Sequence, residues 1–112
     1  MESKQSKFLY LTTTGRKTGL PREIEIWFVE REGTYYILAE HFRRAQWVKN
    51  IERDPRVRVR LNGRGSAQRE ATARVLDPKR DRERWVRAQE LAREKYGWGE
   101  GLPVEITITE RA

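Results

Sequence analysis

A β-hairpin in the middle of the chain restricts the possible folds more than any other sequence feature. Residues 56–61 alternate strictly between arginine and apolar side chains, which is the period of a half-buried strand. The next four residues, Asn62-Gly63-Arg64-Gly65, form a strong hairpin turn signal. Residues 67–76 then return with Ala71, Ala73 and Val75 on one face. These patterns predict an antiparallel sheet with one buried face.

The rest of the chain supplies more short strands and two helices. Further strands are predicted at residues 7–13, 23–30, 35–39 and 104–109. In the second of these, Ile24, Ile26 and Phe28 alternate with polar or aromatic neighbours. The total of six strands, joined by hairpins and one helical crossover, predicts a mainly β (α+β) fold, a six-stranded antiparallel barrel.

Helical periodicity appears in two places. Residues 43–53 predict a short crossover helix, with Trp47, Val48 and Ile51 on one face and Asp54-Pro55 after it. A longer C-terminal helix is predicted from Asp77-Pro78, an N-cap acid and a first-turn proline, to Tyr96, where Gly97 ends it. Its predicted apolar stripe consists of Trp85, Ala88, Leu91, Ala92 and Tyr96.

Composition narrows the functional classes. With 112 residues, the chain is expected to form one domain over residues 1–112. It has no cysteine and one histidine, which argues against disulfides, thiolate catalysis and a metal site. No apolar run approaches the length of a membrane span, and we expect a cytoplasmic protein. The net charge of +7 indicates anionic partners or surface ion-pair networks.

The loop between the first two predicted strands is the main candidate for a binding site. It reads Thr-Thr-Thr-Gly-Arg-Lys-Thr-Gly-Leu-Pro-Arg over residues 12–22. Gly15 and Gly19 allow backbone conformations in which several N–H groups face one point, and Arg16, Lys17 and Arg22 add positive charge. Such a set fits a phosphate group. A solvated basic hairpin is the alternative interpretation, and the spacing alone does not decide between the two.

Two segments together resemble a known family. The loop, with Trp27-Phe28 after it, and the downstream segment Trp47-x-x-Asn50-Ile51 with Asp54-Pro55-Arg56-Val57 resemble the deazaflavin-dependent nitroreductase family. The resemblance covers roughly residues 11–75 and implies a split β-barrel related to flavin-binding oxidases. It also implies a cofactor, either the deazaflavin coenzyme F420 or FMN.

The resemblance also implies which residues bind the cofactor. Lys17 and Arg22 are expected to hold its phosphate end, with further loop contacts from Arg16, Thr18 and Gly19. Trp27 occupies a position where an aromatic side chain lines the pocket of the family, and Trp47 is expected to be mostly core with one edge in the cofactor cavity. No catalytic residue is assigned.

The chain departs from the family pattern at two places near the expected ring site. Glu25 replaces a proline, and its carboxylate would repel an anionic ring unless Arg43 or Arg44 pairs with it. Residues 40–45 are bulkier than the glycines and proline common in the family. His41 in this segment is either a proton donor or a structural residue.

We therefore predict a small oxidoreductase that transfers hydride from reduced F420 to a quinone, a nitro compound or an activated enone. The alternative is a nonenzymatic module that binds a flavin, an anionic lipid or nucleic acid. The arginine stripe of residues 56, 58 and 60 does not favour nucleic acid, because acids such as Glu70 and Glu105 are available as partners and no aromatic residues are interleaved. A homodimer is also expected. Trp27, Tyr36 and Trp98 are more large aromatic side chains than the surface of one small domain should expose.

Overall fold

The computed structural model describes residues 7–109, which form seven strands and two α-helices. The strands are β1 (Phe8–Thr14), β2 (Pro21–Trp27), β3 (Val29–Arg31), β4 (Thr34–Ala39), β5 (Arg56–Arg60), β6 (Arg69–Val75) and β7 (Leu102–Ile108). The helices are α1 (Gln46–Arg53), preceded by a 3-10 turn at Phe42–Arg44, and α2 (Arg82–Tyr96). Within residues 7–109, neither helix has the length and apolar composition needed to cross a bilayer.

All seven strands belong to one antiparallel sheet that curls into a split barrel. The strand order is β2-β1-β5-β6-β7-β4-β3, so β2 and β3 occupy the two opposite edges. Only Phe28 separates these strands in the chain, and one residue spans about 3.5 Å at most. The two edges must therefore lie side by side at this point. The predicted fold class, a mainly β α+β barrel, is confirmed, with seven strands instead of six.

The extra strand arises because the predicted strand at residues 23–30 changes partners at Phe28. Its first part pairs with β1 and its last part pairs with β4. The Tyr96 hydroxyl accepts a hydrogen bond from the Phe28 N–H at 3.1 Å, and the Lys95 ammonium donates to the Phe28 carbonyl at 2.9 Å. Side chains of α2 thus provide hydrogen-bond partners for the N–H and carbonyl groups of Phe28, the residue between β2 and β3.

The inner face of the sheet and α1 enclose the main core. Its buried members are Leu9, Leu11, Phe28, Ile37, Ile51, Val57, Val59, Ala71, Ala73, Val104 and Ile106. A second cluster forms where α2 covers the outer face near β3 and β4, with Ala88 and Ala92 fully inside it. The predicted apolar stripe of α2 is confirmed, since Trp85, Leu91 and Tyr96 pack against the same cluster.

The predicted start of α2 is wrong. Asp77 caps a separate turn, where its Oδ1 accepts hydrogen bonds from the N–H groups of Lys79 and Arg80, both at 2.8 Å. The regular helix begins at Arg82, and its N-cap position is Asp81. The end at Tyr96 is confirmed, because Gly97 has the left-handed φ of 78° typical of a C-terminal glycine.

Ion pairs on the outer face fix α2 to the sheet. Asp81 accepts hydrogen bonds from Arg74 at 3.1 Å and from Arg84 at 3.3 Å. Arg84 also donates to Glu105 at 3.1 Å, and so does the Tyr36 hydroxyl. Glu105 was predicted to pair with the arginine stripe, and this prediction is wrong, because Glu105 on β7 lies beside β4 and β6 and not beside β5.

The arginines of β5 lie beside acids other than Glu105. Arg60 pairs with Glu23 at 3.0 Å, and Arg56 pairs with Asp54 at 3.1 Å. Arg58 lies opposite Glu70 in the β5–β6 register. Acids before β5, on β2 and on β6 thus accompany the stripe.

Candidate functional site

The β1–β2 loop is compact because two of its backbone amides bond within it. The Gly15 N–H donates to the Leu20 carbonyl and the Gly19 N–H donates to the Gly15 carbonyl, both at 2.8 Å. Gly19 has a φ of 75°, which favours glycine. A Cβ on Gly15 would lie 2.9 Å from the Thr18 Oγ1 and 3.1 Å from the Leu20 carbonyl oxygen. The loop conformation therefore requires both glycines.

Asn50 of α1 connects this loop to the helix. Its Oδ1 accepts hydrogen bonds from the Arg16 N–H at 3.2 Å and from the Arg16 guanidinium at 3.0 Å, and its Nδ2 donates to the Thr13 Oγ1 at 3.1 Å. Gln46 accepts a further bond from Arg16 at 2.7 Å. Asn50 is 5% exposed. The two sequence segments that carry the family resemblance are thus held together by one buried amide.

A pocket of about 420 Å³ lies between the loop and α1. We call it the loop pocket. Its lining residues are Thr13, Gly15, Arg16, Lys17, Thr18, Arg22, Ile24, Gln46, Trp47 and Asn50. Three of these residues are cationic, and no acid of the described chain lines the pocket. The loop pocket is therefore a positively charged recess.

The three cations of the loop pocket differ in their availability. Arg16 is engaged with Asn50 and Gln46. Lys17 and Arg22 are exposed, and within residues 7–109 neither forms an ion pair. Lys17 and Arg22 are therefore the side chains free to contact an anion, while Arg16 fixes the loop.

Not all predicted site residues meet in the loop pocket. Arg16, Lys17, Thr18, Arg22 and Trp47 line it together. Gly19 instead lines a polar groove that also contains Arg56 and Arg58. Trp27 lies in a different cavity, described next.

A second cavity, of about 520 Å³, lies at the seam where β2 gives way to β3. We call it the aromatic cavity. Its lining residues are Phe8, Glu25, Ile26, Trp27, Phe28, Val29, Tyr36, Leu38, Ala39, Glu40, His41, Ala45, Trp47, Ala92, Tyr96 and Trp98. Trp47 lines both this cavity and the loop pocket. The two recesses are therefore neighbours, and the indole of Trp47 lies between them.

Tyr96 is a residue of the aromatic cavity that sequence reasoning assigned only to packing. Its ring stacks on Trp27 with centroids 4.4 Å apart and an angle of 5° between the planes. Its hydroxyl lies 2.6 Å from the carbonyl oxygens of Phe28 and Lys7, to either of which it can donate. Burial raises the pKa of Tyr96, so the hydroxyl remains a donor. Tyr96 thus holds Trp27 in a fixed orientation.

The aromatic residues that suggested a dimer are less exposed than expected. Tyr36 is buried at 6% exposure, with its hydroxyl bonded to Glu105, so its assignment to the surface is wrong. The strand alternation places it under α2. Trp98 is half-buried, and Trp27 is 43% exposed. Only Trp27 of the three presents a large apolar surface.

Besides its tyrosines, the aromatic cavity is lined by three titratable residues, Glu25, Glu40 and His41. The Tyr10 hydroxyl donates to Glu25 at 2.8 Å, and this bond raises the pKa of Tyr10. Neither Arg43 nor Arg44 forms an ion pair with Glu25 in the described part of the chain, and Arg43 pairs with Glu52 of α1 instead. Within residues 7–109, no set of three or more potential metal ligands is grouped together.

Comparisons with solved structures agree with the barrel. The heme storage protein HutZ from Vibrio cholerae superposes with a TM-score of 0.74 at 20% identity, covering 94% of this chain and 83% of that one. At this identity the likeness concerns the fold alone. An F420-H2 dependent reductase, FDR-A, is 27% identical, with a TM-score of 0.65 and coverage of 95% of this chain and 97% of that chain.

A third solved structure, described as a domain-swapped dimer, is 28% identical, with a TM-score of 0.65 and coverage of 95% of this chain and 83% of the other. Among curated proteins, no significant match is found.

A family model that matches nearly the whole chain identifies the family to which the chain belongs. The model for F420H(2)-dependent quinone reductase matches residues 2–108. The predicted cofactor, coenzyme F420, is the one for which this family is named, and the family name specifies a quinone reductase, so the predicted nitroreductase designation is not confirmed. The chain belongs to the F420H(2)-dependent quinone reductase family.

Proposed function

We propose that this protein is an F420-dependent oxidoreductase that reduces a quinone. The observation that carries the proposal is the arrangement of two adjoining recesses of opposite character. One contains the unpaired cations Lys17 and Arg22, and the other is lined by aromatic rings, with Trp47 shared between them. A coenzyme with an anionic end and a flat ring system matches this pair of recesses.

The loop pocket supplies three kinds of phosphate ligand. Lys17 offers a point charge and Arg22 a planar fork with several donors. The Thr18 Oγ1 accepts a hydrogen bond from the Leu20 N–H at 3.2 Å, which leaves its own hydroxyl proton free to donate to a phosphate oxygen. Arg16, held by Asn50, keeps this set in place.

The aromatic cavity supports the ring end. Trp47 lies at the junction, and the stacked pair of Trp27 and Tyr96 lies farther along the wall. When bound, F420H2 supplies the hydride, as is general for enzymes whose cofactor carries the chemistry. The protein would bind the phosphate end through Lys17 and Arg22, hold the ring beside Trp47 and exclude water with its apolar wall. No catalytic side chain is required for this assignment.

The proposed acceptor is a quinone, which is the substrate class of the family, and nitro compounds and activated enones are further candidates. FMN remains the alternative cofactor. The test is steady-state oxidation of F420H2 or reduced FMN by a simple naphthoquinone, in the presence and absence of the protein. We expect protein-dependent turnover with F420H2. Tight coenzyme binding without turnover of any acceptor would instead identify a nonenzymatic binding module.

We also propose a homodimer. Phe8 and Trp27, which are 39% and 43% exposed, both line the aromatic cavity, and a second chain placed there would shelter the cavity from water. The domain-swapped dimer among the similar structures supports this arrangement. Light scattering should give twice the chain mass of 13.4 kDa. A mass of one chain at tens of micromolar protein would refute the dimer.

A further inference from the structure

Charge is divided between the two recesses in a way that the overall composition does not predict. The chain has 24 Lys and Arg residues against 17 Asp and Glu residues. Nevertheless, among the described residues no Lys or Arg lines the aromatic cavity, whereas Glu25 and Glu40 do. The loop pocket shows the opposite pattern, with three cations and no acid.

The two glutamates of the cavity have no cationic partner among the residues that the structure describes. Within residues 7–109, neither Glu25 nor Glu40 takes part in an ion pair. Glu25 lies directly opposite Tyr10 in the β1–β2 register, and its carboxylate accepts a hydrogen bond from the Tyr10 hydroxyl at 2.8 Å. This bond fixes the orientation of the carboxylate and leaves its negative charge in place.

Two basic side chains contact aromatic rings of this region without lining the cavity. The Arg64 guanidinium carbon lies 5.0 Å from the centre of the Tyr10 ring, outside the cavity lining. The Lys95 ammonium lies 4.0 Å from the centre of the Phe28 ring and donates to the Phe28 carbonyl. Lys95 is therefore bonded to the backbone behind the cavity wall.

The aromatic rings of the cavity wall, like the carboxylates, favour a positively charged ligand. The faces of indole and phenol rings carry negative potential, and cations are attracted to them. Trp27 is 43% exposed, and its ring is held by the stack with Tyr96. An anionic group in this cavity would meet two carboxylates and several ring faces, and no Lys or Arg among residues 7–109 lines the cavity.

We propose that the aromatic cavity selects the electron acceptor by charge and takes flat aromatic acceptors that carry a positive charge in preference to anionic ones of the same shape. This inference rests on the proposed function, and it specifies the substrate class of that site. Glu25 is assigned the main part in this preference, because it lines the cavity and the Tyr10 hydroxyl holds its carboxylate in one orientation. The anionic end of the coenzyme would be held in the loop pocket by Lys17 and Arg22, so a cationic acceptor in the aromatic cavity would not compete with it for the same residues.

The test uses naphthoquinones of matched size that carry a trimethylammonium group, no charge or a sulfonate group. Reduction adds a hydride from the coenzyme and a proton from solvent to give the hydroquinone, so the charge of the substituent is the same before and after turnover. The protein is saturated with F420H2, which covers the cations of the loop pocket. We expect kcat/KM for the cationic quinone to exceed that for the anionic quinone by on the order of ten- to a hundredfold at low salt.

Two Glu to Gln variants separate the local effect from the charge of the whole protein. Glu25→Gln keeps an oxygen that accepts the Tyr10 hydrogen bond, and it should lower the ratio of cationic to anionic kcat/KM several-fold. Glu90→Gln is the matched control, because Glu90 is exposed on α2 and does not line the cavity. Equal kcat/KM values for the two charged quinones, or an equal loss of the ratio in both variants, would overturn the proposal.

A binding measurement tests the charge preference independently of turnover. Trp27, Trp47 and Trp98 line the cavity, so their fluorescence reports on occupancy by cationic and anionic naphthalene compounds in the F420-loaded protein. Tighter binding of the cation supports the inference, and equal or weaker binding overturns it. If F420H2 reduces none of the quinones, the proposed function fails, and this titration still decides the charge preference.

Discussion

Replacement of Asn50 with alanine tests whether the loop is built by its connection to α1. The substitution removes three hydrogen bonds, two from Arg16 and one to Thr13. Each contributes about 0.5–1.5 kcal/mol in net terms, so the free energy of unfolding should fall by roughly 1.5–4.5 kcal/mol. At about 4 °C per kcal/mol for a domain of this size, Tm should fall by roughly 6–18 °C.

Affinity for F420 should fall in the same variant, by on the order of tenfold, because the loop that carries Lys17 and Arg22 is no longer held in one conformation. Thermal unfolding and calorimetric titration measure the two effects. Gln46→Ala is the control, since it removes one exposed hydrogen bond to Arg16 and should lower Tm much less. An Asn50→Ala protein with unchanged Tm and unchanged affinity would refute the reasoning.

Two further predictions concern the loop and the outer ion pairs. Gly15→Ala should weaken F420 binding, because the new Cβ would lie 2.9 Å from the Thr18 Oγ1, whereas Gly65→Ala meets nothing within 4 Å and should titrate like the wild type. Hydrogen bonds from Arg74 lower the pKa of Asp81, so its stabilising contribution is present above the unfolded pKa of about 4 and is lost as pH falls through the lower folded pKa. Unfolding of Asp81→Asn across acidic pH should therefore show a smaller loss of stability than the wild type, and an equal loss would contradict this assignment.

Local patterns predicted most of the fold. The alternation in β5 and β6, the glycine turn between them and the stripe of α2 each depend on residues close together in the chain. The loop and the Trp47 segment also identified most of the loop pocket. What these patterns could not give was the function of Asn50, whose partners Thr13 and Arg16 lie more than thirty residues away. A polar residue in the midst of a buried helix face was the available signal.

The change of partner at Phe28 was not predictable for the same reason. Ile24, Ile26 and Phe28 keep a regular alternation through the break, so nothing in the local sequence marks it. The break depends on Tyr96 and Lys95, which lie 68 and 67 positions away from Phe28. Likewise, the capping signal of Asp77 is used in a separate turn, and the contacts of Asp81 with Arg74 and Arg84 could not be predicted from local sequence.

The most direct test of the account is a calorimetric titration of the protein with F420, carried out on the wild type, Lys17→Ala, Arg22→Ala and Arg58→Ala. Loss of one charge-assisted contact is worth about 1.5–3 kcal/mol, so Lys17→Ala and Arg22→Ala should each weaken binding by roughly one to two orders of magnitude. Their Tm should hardly change, because exposed loop charges contribute little to folding. Arg58 lies outside the loop pocket, and its removal should leave the affinity nearly unchanged. An equal loss in Arg58→Ala, or no binding of F420 by the wild type, would contradict the account.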